Sequence, residues 1–210
     1  DRSRGLGDVY KRQMRIIAGK CKGRKLETPC TDMRPTLDRT KETLFNILQT
    51  EVPDAAVLDL FAGSGSLGLE AYSRGAKRIV FADIDRRATE TIKRNCNKVG
   101  CDAPVLTAPF ETAAAQLGEK FDLVFIDPPY KQNLYYRALK ALVDSDRLND
   151  GAIAVCEHSP EDKLPDKVGG LSKYREKKMG KCQFSFYRFE SGLCDEGLKK
   201  EISDREEKEK

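Results

Sequence analysis

Two short motifs carry residue types that could do chemistry, and the first is the tetrapeptide Asp127-Pro128-Pro129-Tyr130. An exocyclic amine on a nucleobase is a poor nucleophile because its lone pair is delocalised into the ring. The Asp127 carboxylate and the Pro128 carbonyl can each accept one N–H bond from such an amine, and both bonds favour a pyramidal nitrogen. The prolines contribute no competing N–H, and Tyr130 can stack on the base. The tetrapeptide therefore predicts catalysis at a base amine; a plain turn after a strand is the alternative.

The second motif is a glycine loop. Gly63, Gly65 and Gly68 form a GxGxxG pattern between an apolar run and a predicted helix, and Asp83 follows Gly63 by twenty residues. In nucleotide-binding α/β proteins such glycines let the backbone approach the ligand, and an acid at the end of the next strand binds ribose hydroxyls. The spacing therefore predicts a cofactor that contains a nucleoside and contacts Gly63, Gly65 and Asp83.

Asp59, four residues before Gly63, discriminates between two cofactors. The pyrophosphate of a dinucleotide prefers backbone N–H groups and no nearby carboxylate. S-adenosylmethionine instead carries an ammonium and a sulfonium, and a carboxylate attracts both. Asp59 therefore favours S-adenosylmethionine over NAD, and a dehydrogenase also lacks an evident hydride-transfer acid. An Asp59 that only braces the loop is compatible with either cofactor.

An alternation of strands and helices must bring these motifs together. Apolar rather than alternating strands predict an α/β fold whose parallel sheet is covered by helices on both faces, with ligands at the carboxyl ends of the strands. The predicted strands are 57–61, 79–82, 105–106, 123–126 and 152–156, and the predicted helices are 38–49, 67–74, 86–98, 111–117 and 133–143. Antiparallel hairpins are predicted from 15–18 with 24–28 and from 172–178 with 182–189.

Basic residues concentrate in two blocks, although the net charge is only +4. Residues 14–50 hold eight Lys or Arg against four acids, and residues 171–190 hold six against two. Clustered cations can bind RNA phosphates, and the chain has no separate RNA-binding domain. A solvated face is the alternative for both blocks, and Thr36 and Arg39 have the further alternative of closing over the methionine end of the cofactor. The predicted RNA contacts in the first block are Arg15, Lys20, Lys22, Arg24, Lys25, Arg34 and Arg39.

Composition excludes several protein classes. The 210 residues, 39% of them hydrophobic, can form one sizeable core. No apolar run approaches the ~18 residues that span a bilayer. The seven cysteines form no CxxC pair and His158 is the single histidine, so neither a metal site nor a hydrolase built on histidine is expected. We expect reduced thiols, a structural role for His158 and a cytoplasmic localisation.

With these residues in place, the chain resembles the class I S-adenosylmethionine-dependent methyltransferases that carry a DPPY motif. It is most similar to the bacterial family that methylates guanine N2 in 16S ribosomal RNA, and the resemblance covers residues 14–190. Besides the two motifs, the resemblance is carried by Met14-Arg15-Ile16-Ile17-Ala18-Gly19, Gly23-Arg24-Lys25-Leu26, Arg34-Pro35-Thr36-Leu37-Asp38-Arg39, Glu42 and Leu44-Phe45-Asn46.

The resemblance implies a Rossmann-like, mostly parallel sheet of seven strands, with an antiparallel C-terminal hairpin and a small N-terminal hairpin and helix. It also implies S-adenosylmethionine as cofactor and a guanine flipped out of the 16S rRNA of a small ribosomal subunit. The chain departs from the family at Ala108-Pro109-Phe110-Glu111, where an Asp or Asn usually touches the adenine. Either Phe110 covers the adenine and Glu111 or the backbone supplies the polar contact, or the strand is misplaced by one or two residues. The expected cofactor contacts are Asp59, Phe61, Gly63, Gly65, Asp83, Ile84, Phe110 and Thr36.

The expected organisation has four parts. Residues 1–13 are expected to be a non-native or disordered extension, 14–50 a basic hairpin and helix, 51–190 the methyltransferase domain, and 191–210 a disordered charged tail. We expect a monomer without a membrane or metal partner. A DNA adenine-N6 methyltransferase is disfavoured, since no extra domain could read a DNA sequence. A non-catalytic ribosome-assembly factor is disfavoured because both motifs are intact.

Overall fold

A single eight-stranded sheet runs through the protein. The computed structural model describes residues 14–29, 38–129 and 134–193. Predictions for Arg34, Thr36, Tyr130, residues 1–13 and most of the tail therefore concern residues outside these ranges. The strand order is β3-β2-β1-β4-β5-β8-β7-β6.

The elements follow the predicted alternation closely. The strands are β1 (Ala56–Asp59), β2 (Arg78–Asp83), β3 (Val105–Thr107), β4 (Phe121–Ile126), β5 (Leu148–His158), β6 (Lys167–Val168), β7 (Leu171–Met179) and β8 (Cys182–Phe189). The helices are α1 (Asp38–Ile47), α2 (Ser66–Ser73), α3 (Arg86–Val99), α4 (Phe110–Gln116) and α5 (Leu134–Asp144). All five predicted helices and all five predicted core strands are confirmed to within a few residues.

The five strands from β3 to β5 are parallel, as their apolar sequences predict. Successive residues point to opposite faces: Val57 belongs to one core cluster and Leu58 to the other. Helices α1, α2 and α3 pack on the Val57 side, which we name the α1 face. Helices α4 and α5 pack on the Leu58 side, the α5 face. Both faces of the parallel strands are therefore covered.

The sheet has eight strands instead of the seven that the resemblance implies. The predicted C-terminal hairpin is present as β7 and β8, and β8 pairs antiparallel with β5. The additional strand β6 has two residues and pairs antiparallel with β7. Gly169, at a φ of +55°, allows the tight connection between β6 and β7.

The N-terminal segment, residues 14–29, folds back on itself but is less regular than two strands. One antiparallel bridge joins Arg15 and Lys25. The reason is that its backbone binds helix α2: the N–H groups of Ile17 and Ala18 donate to the Glu70 carboxylate at 2.7 and 3.0 Å. The N–H groups of Ile17 and Ala18 therefore cannot form hydrogen bonds to a second strand, and they attach the segment to the α1 face instead.

Three further features complete the fold. Of the expected tail, residues Ser191–Leu193 form a short 3₁₀ turn in which Ser191 N–H donates to Asp150 at 2.9 Å. The described cysteines, at 21, 96, 101, 156 and 182, are free thiols. Among the described helices, none has the length and apolar character needed to cross a membrane.

Candidate cofactor and amine site

Four carboxylates lie at the carboxyl ends of four neighbouring strands. Asp83 ends β2, Asp59 ends β1, Asp127 follows β4, and Glu157 lies near the end of β5. The sheet order places these strands side by side, and the register pairs Ile126 with Cys156, so Asp127 and Glu157 follow at the same level. We name Asp83, Asp59, Asp127 and Glu157 the acidic row. Open parallel sheets bind ligands at this edge, so the acidic row is the candidate site.

Asp59 is 2% exposed and accepts a hydrogen bond from the Gly68 N–H at 2.9 Å. Burial raises the pKa of Asp59 to about 7, the Gly68 hydrogen bond opposes this shift, and the charge of Asp83 adds to it. A carboxylate held in such a position gains from a cationic ligand, because the cation offsets its lost hydration. This environment fits the ammonium-bearing cofactor that the sequence predicts.

The glycine loop is held directly by the acid of the next strand. Gly63 N–H donates to Asp83 Oδ2 at 2.8 Å, and Asp85 N–H donates to Asp83 Oδ1 at 2.8 Å. Each carboxylate oxygen has a second acceptor position, which fits two ribose hydroxyls. Gly65 has a φ of +76°, a conformation that disfavours a side chain. The loop and Asp83 thus form a preorganised polar cradle.

Apolar side chains stand beside this cradle. Ile84 is 72% exposed directly after Asp83, and the rings of Phe61 and Phe110 are 5.2 Å apart. These are the three apolar contacts predicted for the cofactor, and the structure brings them to the same edge as Asp83. Glu111, the possible polar contact for an adenine, forms an exposed ion pair with Arg137.

Asp127 is half-buried where β4 ends, followed by a buried Pro128 and an exposed Pro129. Burial, then the charge of Glu157, then that of Asp59 raise the pKa of the Asp127 carboxyl well above its usual range. Asp59 and Asp127 lie at the carboxyl ends of β1 and β4, which are paired, so the structure places the two predicted acids at the same edge of neighbouring strands.

Sequence reasoning missed Glu157, although an acid after the fifth apolar run was a signal. Glu157 is 8% exposed, and its backbone carbonyl accepts a hydrogen bond from Tyr135 at 3.0 Å. The next residue, His158, is buried and bonded through Nε2 to Ser185 Oγ at 2.8 Å. That environment agrees with the structural role expected for His158.

A buried polar network ties the N-terminal segment to the glycine loop, and sequence reasoning missed it as well. From its place in the sequence, Asn95 is expected to cap or brace helix α3, but the cap of that helix is Asp85. Instead, the Asn95 side chain accepts from Glu27 N–H and donates to the carbonyls of Glu27 and Ser64, all at 2.8–2.9 Å.

Lys41 adds to this network. It is 1% exposed, donates to the Arg15 carbonyl and to Ser66 Oγ at 2.5 and 3.1 Å, and lies 3.4 Å from Glu70. Lys41 is accordingly not part of the basic surface that the charge count suggested.

The predicted RNA contacts divide into two groups. Lys22, Arg24 and Lys25 are exposed, and none has a carboxylate within 4.0 Å in the described part of the chain. Arg39 is exposed on α1. Arg15 pairs with Asp38 at 2.9 Å, and the Lys20 ammonium lies 3.6 Å from the centre of the Tyr72 ring. The free cations therefore gather at the turn of the N-terminal segment.

An open parallel sheet with a glycine loop, an acidic row and an antiparallel terminal hairpin defines a Rossmann-like methyltransferase fold. Two solved structures share it. The putative methyltransferase yhhF from Escherichia coli superposes with a TM-score of 0.77 at 38% identity, covering 85% of this chain and 99% of that one. The putative methylase HI0767 from Haemophilus influenzae gives 0.72 at 34% identity, with the same coverage.

Sequence comparison gives the family. A family model described as "Conserved hypothetical protein 95" matches residues 14–188. "Ribosomal RNA small subunit methyltransferase D" of E. coli K12 is 38% identical over 182 residues, covering 85% of this chain and 91% of that protein. "Putative rRNA methyltransferase YlbH" of Bacillus subtilis is 38% identical over 182 residues, covering 83% and 98%. The chain therefore belongs to this family of S-adenosylmethionine-dependent methyltransferases.

Proposed function

We propose that the protein methylates ribosomal RNA, and that its target is the exocyclic N2 amine of a guanine in 16S rRNA of the small ribosomal subunit. The observation that carries the proposal is the adjacency of Asp59 and Asp127 on neighbouring strands β1 and β4. One acid faces the donor and the other faces the acceptor. The names of the relatives support an rRNA substrate, and the resemblance supports guanine N2.

The cofactor part of the site is built around Asp59 and Asp83. When bound, S-adenosylmethionine supplies an electrophilic methyl group on a sulfonium. Asp59 attracts the cationic methionine end, while Asp83 holds the ribose hydroxyls with the oxygen positions left free by Gly63 and Asp85. Phe61, Ile84 and Phe110 enclose the adenine, and Thr36 closes over the methionine end.

At the acceptor part, Asp127 and the Pro128 carbonyl each accept one N–H of the guanine amine. This positioning aligns the nitrogen lone pair with the methyl group and supplies much of the rate. The amine would become acidic as its N–C bond forms and the methyl–sulfur bond breaks, with the neutral thioether as the leaving group, and Asp127 then takes the proton. The raised pKa of Asp127 makes its carboxylate a better proton acceptor at that moment. Pro129 fixes the turn, and Tyr130 stacks on the base.

In this proposal, the N-terminal segment binds the phosphates of the RNA. Lys22, Arg24 and Lys25 supply the free cations there, and the buried network of Asn95 and Lys41 fixes the segment against the glycine loop. Arg39, exposed on α1, adds a further cation, and Arg15 and Lys20 contribute if they leave their present partners. A role for Arg34 rests on its place in the sequence alone. Cations on the methyltransferase domain itself can position a target base in this way.

The test is transfer of a labelled methyl group from S-adenosylmethionine to small ribosomal subunits, protein-free 16S rRNA and DNA. We expect label in RNA, recovered as N2-methylguanosine after digestion to nucleosides. Asp127→Asn should abolish it, whereas Asp144→Asn, an exposed carboxylate on α5, should leave it unchanged. Label found in DNA alone, or at another position of the base, would contradict the proposal; subunit binding without label would point to an assembly factor.

A further inference from the structure

The second basic block contains an exposed part of β7 that the proposed function does not use. Residues 174–178 in the middle of β7 are all exposed, whereas Phe184 and Phe186 on the adjoining β8 are fully buried. Both phenylalanines belong to the core of the α1 face. The side chains of β7 that lie over them therefore form the outer surface of this face.

A β-bulge arranges these side chains. Lys173 pairs with Tyr187 and Arg175 pairs with Phe186, so Tyr174 is the extra residue. Both Tyr174 and Arg175 consequently contact Phe186: the two rings are 6.3 Å apart, and the guanidinium lies 5.9 Å from the ring centre. An aromatic ring and a cation thus stand side by side on one face.

Two more cations lie on the same face. Lys177 pairs in register with Phe184, and the Arg188 guanidinium lies 5.2 Å from the centre of the Tyr174 ring. The ring of Tyr174 remains accessible, since the residue is 47% exposed. In the described ranges the nearest acid is Glu51, 3.9 Å from Arg188, and no carboxylate lies within 4.0 Å of Arg175 or Lys177. We name Tyr174, Arg175, Lys177 and Arg188 the β7 patch.

Lys173 is not a member. Its ammonium forms ion pairs with Asp166 and Glu176 at 3.0 and 2.9 Å, and it belongs with Tyr187 on the α5 face. Only part of the second basic block therefore belongs to the β7 patch. The patch also contains an aromatic residue, Tyr174, which a count of charges does not include.

We propose that the β7 patch binds single-stranded RNA, at a segment of the substrate away from the target guanine. This inference rests on the proposed RNA substrate. An exposed ring stacks on any base, and neighbouring cations contact the backbone, which is the recurrent design of single-strand RNA sites. A second copy of the chain is a poor occupant, because two patches of the same positive charge repel each other.

The position of the patch supports the same partner. Ile16 and Leu26 of the N-terminal segment share one core with Phe184 and Phe186. The N-terminal segment and the β7 patch therefore lie on the same face of the sheet, which α1, α2 and α3 also cover. One RNA that crosses this face contacts both, and the second contact raises the overall affinity by holding the RNA at a high effective concentration.

The test uses fluorescein-labelled oligouridine, whose binding does not depend on which base is methylated. Tyr174→Ala should weaken its binding about fivefold or more, because the ring that stacks on a base is removed, and Tyr174→Phe should restore it. Arg175→Ala combined with Lys177→Ala should reduce the slope of log affinity against log salt by about 1.4. Lys140→Ala, which removes a charge from α5 on the opposite face, is the matched control.

Two readouts separate this proposal from the proposed function. Calorimetric titration with S-adenosylhomocysteine should give wild-type affinity in every patch variant, which also shows that the variants are folded. Wild-type oligouridine affinity and salt slope in both patch variants would overturn the proposal. So would a raised KM for intact subunits with unchanged affinity for protein-free RNA, because the face would then contact a ribosomal protein. If the patch variants lose RNA binding while neither the wild type nor any variant methylates 16S rRNA, the proposal for the β7 patch is supported and the proposed methylation target is contradicted.

Discussion

At the scale of single residues, the ionised carboxylates of the acidic row are unfavourable in the free protein, because they are buried and repel one another. A cationic ligand reduces this cost when it binds. Burial raises the pKa of Asp59 to about 7, and burial together with Glu157 and Asp59 raises that of Asp127. A carboxyl whose folded pKa exceeds its unfolded value destabilises the fold once the pH rises above the unfolded pKa. Such sites persist because the same charges bind a cationic donor and accept a proton.

Asp59→Asn is expected to stabilise the free protein while weakening cofactor binding. The unfolded carboxyl ionises near 3.8 and the folded one near 7, so the destabilisation grows through this interval and is complete above it. In urea unfolding, the free energy of unfolding of the variant should exceed that of wild type by on the order of a few kcal/mol at pH 8. The difference should shrink toward pH 5. Calorimetry with S-adenosylhomocysteine should show lower affinity than wild type at pH 8. Equal affinities would contradict the charge argument, and Asp144→Asn is the control.

Glu157→Gln is expected to move the acid limb of the kcat profile to lower pH. Asp127 must be ionised to accept the amine proton, and Glu157 raises its pKa. Removal of the Glu157 charge lowers the pKa of Asp127, so activity should persist to a more acidic pH while the maximal rate falls. The profile is measured at saturating cofactor, which separates it from Asp59. An unmoved acid limb would show that Glu157 acts only in packing.

At the scale of elements, helix α3 and the N-terminal segment are joined through Asn95 to the glycine loop. Asn95 is fully buried, and its three hydrogen bonds reach Glu27 on one side and Ser64 on the other. Ser64 lies between Gly63 and Gly65, the two glycines proposed to contact the cofactor, and its hydroxyl contacts Met14 Sδ at 3.0 Å. The conformation of the loop therefore depends on the docking of a segment distant in sequence.

Asn95→Ala is expected to increase the mobility of both the N-terminal segment and the glycine loop. It removes hydrogen bonds from the part-buried backbone of Glu27 and from the buried Ser64 carbonyl, and the loss at the buried carbonyl costs about 1–3 kcal/mol. Hydrogen exchange should increase at residues 26–28 and 63–65, and cofactor affinity should fall. Asn97→Ala, an exposed change on the same helix, is the matched control. Faster exchange in the N-terminal segment alone would show that the loop holds its conformation independently.

At the scale of the whole molecule, charge is separated by position. The carboxyl edge of the sheet is acidic, whereas unpaired cations lie on the N-terminal segment and on β7. A cationic donor and a polyanionic RNA therefore meet regions of opposite sign. Only the RNA surface should depend strongly on salt, because RNA binding releases counterions.

Lys22→Ala combined with Arg24→Ala is expected to weaken RNA binding similarly for all sequences. The slope of log affinity against log salt should fall by about 1.4, because each phosphate that the protein no longer neutralises lowers it by about 0.7. Cofactor affinity should remain at the wild-type value. Lys140→Ala should leave the salt slope unchanged, and a wild-type slope in the double variant would place the RNA elsewhere.

Much of the fold was predictable because it depends on local pattern. Apolar runs buried on both faces identify parallel strands, and Asp85 and Gly100 mark the two ends of α3. The order of the strands in the sheet was harder to predict from the sequence. The adjacency of Asp127 and Glu157, thirty residues apart, follows from the pairing of β4 with β5 and not from sequence spacing.

The sequence by itself determined the α/β class, the glycine loop, and three of the four acids at the carboxyl edge, since each depends on residues close together in the chain. Only the tertiary structure decided which polar residues are buried and which are free. Lys41 and Asn95 look like surface residues in sequence, yet each is held by partners from distant elements. The reason is physical: hydrophobic periodicity reports local burial, whereas the pairing of charges and amides depends on contacts that only the folded chain creates.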